Sequence, residues 1–176
     1  MFQTQIPIET MALRLALAAV FGAIIGIDRE WRNKPAGICT HMMVALAAAT
    51  FTVITLELFE AITKGEAKHV ASDPLRLVEA ITAGVAFLGA GAIIQSRGNV
   101  EGITTGSGIW LAGAVGYAAG AGHFVLAGIA CIFAVIILTA LGWLTSKVAK
   151  AGAASGAASD NDTGKAQKAS SPGAKD

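Results

Sequence analysis

Five apolar runs, each near the length that a lipid bilayer demands, alternate with short polar stretches along the chain. They cover Ile8–Ile27, Ile38–Phe59, Leu75–Ile94, Ile103–Ala119 and Phe124–Leu144. A helix rises about 1.5 Å per residue, so about 20 apolar residues cross the hydrocarbon core of a membrane. Strands of a membrane barrel are about 10 residues long and alternate apolar with polar. These runs are longer and uniformly apolar, so they predict helices. Gly120-Ala121-Gly122 leaves only a tight turn between the fourth and fifth runs, which predicts an antiparallel hairpin. From Ser146 onward the pattern stops. The remaining Ala, Gly, Ser, Lys and Asp residues have almost nothing to bury, so 146–176 is expected to be a disordered tail. The expected architecture is all-α: a polytopic membrane domain over 1–145 with about five transmembrane helices.

Composition agrees with lipid as the solvent. Of 176 residues, 54% are hydrophobic and 14% charged, against roughly 25% charged in soluble domains. A net charge of +1 and the lack of a basic patch interleaved with aromatics give no argument for nucleic acid. The expected partners are the bilayer itself, further copies of the chain, or another membrane protein. The opening MFQTQIPIET carries no Lys or Arg and no Ala-x-Ala site follows, so the first run reads as a retained span. Loop 28–37, loop 95–102 and the C-terminal flank fall on one side and hold Arg29, Arg32, Lys34, Arg97, Lys147 and Lys150. The other side holds Lys64 and Lys68, with Arg14 and Arg76 just inside spans. Positive charge marks the cytoplasmic side, which places the N-terminus outside and the C-terminus in the cytoplasm. Arg29, Arg32 and Lys34 then anchor the first loop, Pro35 and Gly37 turn the chain, and Trp31 and Trp143 suit the interface. Cys39 and Cys131 form no CxxC pair. No hydrolase elbow, zinc-protease or phosphate-loop motif is present, so no enzymatic activity is expected.

The chemistry concentrates in a few polar positions. Asp28 and Glu30 follow the first run within a cluster of cations. Two carboxylates that converge, with retained waters, suit a hard cation such as magnesium. The competing reading is a set of ion pairs with Arg29, Arg32 or Arg97. Glu79 lies inside the third run, where charge is costly, with Arg14 as a candidate partner. Thr104 and Thr105 open the fourth run, and hydroxyls there either cap the helix or line a polar cavity. Asp28, Glu30, Glu79, Thr104 and Thr105 therefore form the candidate ion site, with His41 as a further polar partner. No cofactor is called for beyond magnesium as ligand or substrate. Glycine is abundant, with 21 residues. Gly22 and Gly26, Gly98 and Gly102, Gly102 and Gly106, and Gly116 and Gly120 are spaced for close helix contact, and Gly84, Gly89 and Gly91 are dense enough to add to it. GAII, an arginine and Gly-Ile-x-Thr recur in that order at 22–40 and 91–105, which reads either as a structural repeat or as one turn constraint met twice.

The stretches GAIIGIDREWRNKPAGICTH, DPLRLVEAITAGVAFLGAGAII and VEGITTGSGIW resemble the MgtC/SapB family of bacterial inner-membrane proteins. The likeness covers roughly residues 10–145. It implies several membrane helices with the N-terminus outward, and a part in adaptation to low magnesium and, in pathogens, in survival inside host cells. Members have been treated as magnesium transporters and, alternatively, as regulators of other membrane machinery. The family blocks fall on Asp28-Arg29-Glu30, on Lys34-Pro35-Ala36-Gly37, on Thr40-His41, on Ala86–Gly91 and on Gly102–Thr105. Cys39 and Glu101 stand where the family usually has basic residues, and Ala86 where it has glycine. These departures weaken any mechanism that needs those cations. Founding members add a soluble C-terminal domain where this chain is expected to carry its tail.

Overall fold

The computed structural model describes residues 4–64, 74–96, 99–140 and 142–143. The expected tail and Arg97 lie outside them. Helix α1 spans Ile8–Trp31, α2 Ile38–Thr63, α3 Pro74–Gly91 and α4 Ile103–Gly120, and α5 spans Phe124–Ala140. Between α3 and α4 stands a short antiparallel ribbon, β1 (Ile94–Ser96) and β2 (Asn99–Glu101), with Ile94 opposite Glu101. The described chain is otherwise helical, as its apolar runs predict. Residues through Ile136 form one compact unit, and a second begins at Ile137.

Two element boundaries differ from those predicted. Helix α1 does not end where its apolar run ends. It continues through Asp28, Arg29, Glu30 and Trp31, because none of these breaks a helix and Asp28 pairs with Arg32 across one turn at 2.9 Å. The chain turns only at Asn33, whose φ is 51°, before Pro35 and Gly37. Arg29 is therefore a helical residue, not a loop anchor. The second difference is the ribbon itself, which replaces the plain loop expected over 95–102. It closes on Gly102, whose φ of 86° favours glycine. A Cβ there would also lie 2.0 Å from the Ala92 carbonyl oxygen.

Close glycine contacts fix the helix directions. Gly22 meets the backbone of His41 and Met42, and Gly26 meets Gly37 and Ile38, so α1 and α2 run antiparallel. Gly108 faces His41, Gly116 meets Ala45 and Gly120 meets Ala49, so α2 and α4 run parallel. Gly89 meets Gly106 and Gly113 meets Val85, so α3 and α4 run antiparallel. Turn 32–37 and the ribbon consequently share one end of the bundle. The core is built of small residues, with Ala18, Ala45, Ala49, Ala112 and Ala119 fully buried. In lipid, association gains little from burying apolar surface, so backbones approach through such residues.

Gly22, Gly26, Gly89 and Gly106 make close contacts with a neighbouring helix or its first turn, whereas Gly102 meets the Ala92 carbonyl at the base of the ribbon. Gly84 and Gly91 do not: a Cβ on either would meet nothing within 4 Å. The reason is that α3 lies at the margin of the bundle. An apolar cleft of about 390 Å³ opens between α2 and α3, with Gly84, Leu88 and Phe51 in its walls. Helices α1 and α2 are each long and apolar enough to cross a membrane, and α5 is a shorter apolar helix.

Candidate functional site

Charged side chains in this bundle serve the ends of neighbouring helices. Glu30 Oε2 accepts from the Ile38 N–H at 3.1 Å, the first residue of α2. Glu57 accepts from the N–H groups of Gln5 and Ile6, just ahead of α1. Arg14 Nη1 donates to the carbonyl of Gly120 at 3.0 Å, at the end of α4. Each places the charge that the helix dipole favours: anions near N-termini and a cation at a C-terminus. Glu30 and Arg14 also satisfy backbone groups that the helices leave without an internal partner.

This arrangement separates the residues of the candidate ion site. Asp28 turns to Arg32 and Glu30 turns to α2, so the two carboxylates serve different partners. Glu79 is exposed in the half of α3 remote from the ribbon, and Arg14 reaches Gly120 rather than Glu79. Among the described residues no group of three His, Cys, Asp or Glu side chains is placed to hold a metal ion. Neither Gly37 nor Gly102 offers a side-chain cap, and no hydroxyl caps α2 or α4. Thr104 is exposed, and Ser107 donates back to the carbonyl of Ile103.

At the ribbon end the structure assembles a polar junction instead. Arg29 is only 3% exposed, and its Nη2 donates to Thr105 Oγ1 at 3.0 Å, joining α1 to α4. Arg29 Nε has no partner among the described residues. His41, fully buried, lies 2.8 Å from the Gly37 carbonyl through Nδ1. A carbonyl only accepts, so Nδ1 carries the proton and Nε2 of the neutral ring is an acceptor. That Nε2 has no partner either and rests against Gly108. Beside this junction opens a cleft of about 590 Å³. Its walls come from the turn (Asn33, Lys34), from β2 (Glu101) and from the first turn of α4 (Thr104, Thr105).

Arg29 is the residue whose role the sequence pattern concealed. Ala18, Gly22, Ile25 and Arg29 share the buried face of α1 at steps of four, three and four. The signal was present, but it appears only once the helix is carried past its apolar run.

The model of the MgtC family matches residues 15–147. The chain belongs to the MgtC family. It is 34% identical over 137 residues to protein SapB of Bacillus subtilis (strain 168), covering 77% of this chain and 58% of that protein. It is 32% identical over 136 residues to "Putative magnesium transporter YhiD" of Escherichia coli (strain K12), covering 77% and 62%. Protein MgtC of Brucella abortus (strain 2308) is 36% identical over 131 residues, covering 74% and 51%. The chain thus matches little more than half the length of these relatives. No solved structure matches it. Membership of the MgtC family and the two long apolar helices make it a membrane protein.

Proposed function

We propose that this MgtC-family chain is a multi-pass protein of the bacterial inner membrane that acts in adaptation to low magnesium as an interaction module. It contacts another membrane protein through a helix face and alters that protein's activity, without carrying the ion. All five helices cross the bilayer in this reading, with the N-terminus outside and the ribbon end in the cytoplasm. The observation that carries it is the buried Arg29 at the ribbon end. A like charge 4 Å from a fixed cation costs about 4 kcal/mol per pair of unit charges at an effective dielectric constant near 20. A divalent cation entering there meets repulsion, while Asp28 and Glu30 are engaged with Arg32 and α2.

The contact face is assigned to α3. Its exposed surface combines Gly84, Gly91 and small alanines with Phe87, which is 81% exposed. Small residues let a partner helix approach closely. Helix α5 instead exposes Val125, Ile129, Ile132 and Phe133, a bulky surface suited to lipid. A second reading, cation transport, is favoured by the printed name of the Escherichia coli relative. The test combines photo-crosslinking from position 87 in native membranes with growth rescue at low magnesium. The expected result is a discrete adduct, lost together with rescue in Gly84→Leu and retained in Asp28→Asn and Glu79→Gln. Loss of rescue in the carboxylate variants alone would favour transport.

A further inference from the structure

Two buried polar atoms at the ribbon end are complementary and unsatisfied. Arg29 Nε is a donor and His41 Nε2 an acceptor, and neither has a partner among the described residues. Arg29 is 3% exposed and His41 is fully buried, so bulk solvent reaches neither. Buried polar groups without a hydrogen bond are rare, because they carry the full cost of desolvation. The two side chains come from different helices and meet the same face of α4. The Arg29 guanidinium donates to Thr105 at 3.0 Å, and His41 Nε2 lies against Gly108. Thr105 and Gly108 are both buried and three residues apart, a rise of about 4.5 Å. Arg29 is also close enough for its charge to act on the His41 ring. Two hydrogen bonds of about 2.9 Å that meet at one atom span roughly 4.5–5.5 Å, so one small group can join the pair.

Gly108 leaves room for that group. A Cβ there would lie 3.1 Å from His41 Nε2, itself a hydrogen-bond distance, and would meet nothing else across the helix interface within 4 Å. Charge selects the guest. A cation meets the guanidinium of Arg29, and an anion meets the Nε2 lone pair. A neutral group that both accepts and donates satisfies both atoms, and a gap of about one methyl group admits only the smallest. We propose that one water molecule is bound here, accepting from Arg29 Nε–H and donating to His41 Nε2. Thr105 Oγ1 keeps its own proton and a second lone pair after accepting from Arg29, and supplies a third contact, the usual number for a buried water. Thr105 also lines the cleft at the ribbon end, which gives the water its path. The bound water ties α1, α2 and α4 together at one point and holds the guanidinium in the orientation that bonds Thr105. The inference goes beyond the proposed interaction role and holds whether or not the chain carries an ion.

Solid-state NMR of the full chain in lipid bilayers, with the histidine ring nitrogens labelled, tests it. Polarisation that starts on water protons is followed to each ring. Transfer to the unprotonated Nε2 of His41 is expected in the parent although that ring is buried, beside transfer to the exposed His123. Gly108→Ala fills the gap. Transfer to His41 is then lost, and the Nε2 resonance moves toward that of a nitrogen without a hydrogen bond, while His123 is unchanged. Gly84→Ala, whose Cβ meets open space, leaves both rings as in the parent. Absence of transfer to His41 in the parent overturns the proposal. So does transfer to His41 that survives Gly108→Ala. The parent spectrum alone can refute the site, so the outcome does not hinge on how Gly108→Ala folds.

Discussion

Asp28 and Glu30 looked alike in the sequence, two carboxylates among cations. In the fold one is an intrahelical ion-pair partner and the other a cap on the next helix. That difference depends on where α1 stops, which apolar periodicity alone does not reveal. Arg29 illustrates the same limit. Its charge suggested a solvated anchor, yet its position on the face of Gly22 and Ile25 puts it inside. Burial of an ion that forms no salt bridge among the described residues carries a desolvation cost of several kcal/mol, offset in part by the adjacent Asp28. Arg29→Met should therefore fold and melt no lower than the parent in detergent, gaining about 1 kcal/mol, since apolar replacement of buried ions is often stabilising. Thermal unfolding followed by tryptophan fluorescence checks this. A drop of several degrees would show that the Thr105 hydrogen bond outweighs the desolvation.

At the scale of elements, the five apolar runs foretold five helices, because length and uniform apolarity are properties of each run by itself. Which glycines pack was less accessible, since it depends on where each helix sits. Gly116 and Gly84 are chemically identical, yet a Cβ at Gly116 would lie 2.2 Å from the carbonyl oxygen of Ala45, while one at Gly84 meets open space. Gly116→Ala should accordingly destabilise the bundle by about 1–3 kcal/mol through overpacking. Gly84→Ala should be neutral or stabilising by up to about 1 kcal/mol through helix propensity. Parallel unfolding titrations of the two variants separate these outcomes. Equal effects would mean that α2 and α4 do not meet through Gly116. The ribbon was not foreseen because strands of three residues leave too short a pattern to distinguish from a polar loop.

At the scale of the whole molecule, the close contacts put turn 32–37 and the ribbon at one end of the bundle, the end that the proposed orientation turns toward the cytoplasm. Cys39 is exposed at this end and Cys131 is buried. A membrane-impermeant maleimide should label Cys39 in inverted vesicles and leave it unlabelled in intact spheroplasts. Labelling in spheroplasts would reverse the proposed orientation. The central claim, that a chain with Arg29 buried at its cytoplasmic end does not conduct a divalent cation, is tested most directly by magnesium flux. Purified chain in liposomes loaded with a magnesium-sensitive dye, under an inward magnesium gradient and an inside-negative potential, is predicted to give no uptake above empty liposomes. Uptake that saturates with magnesium and disappears in Asp28→Asn or Glu79→Gln would contradict the account.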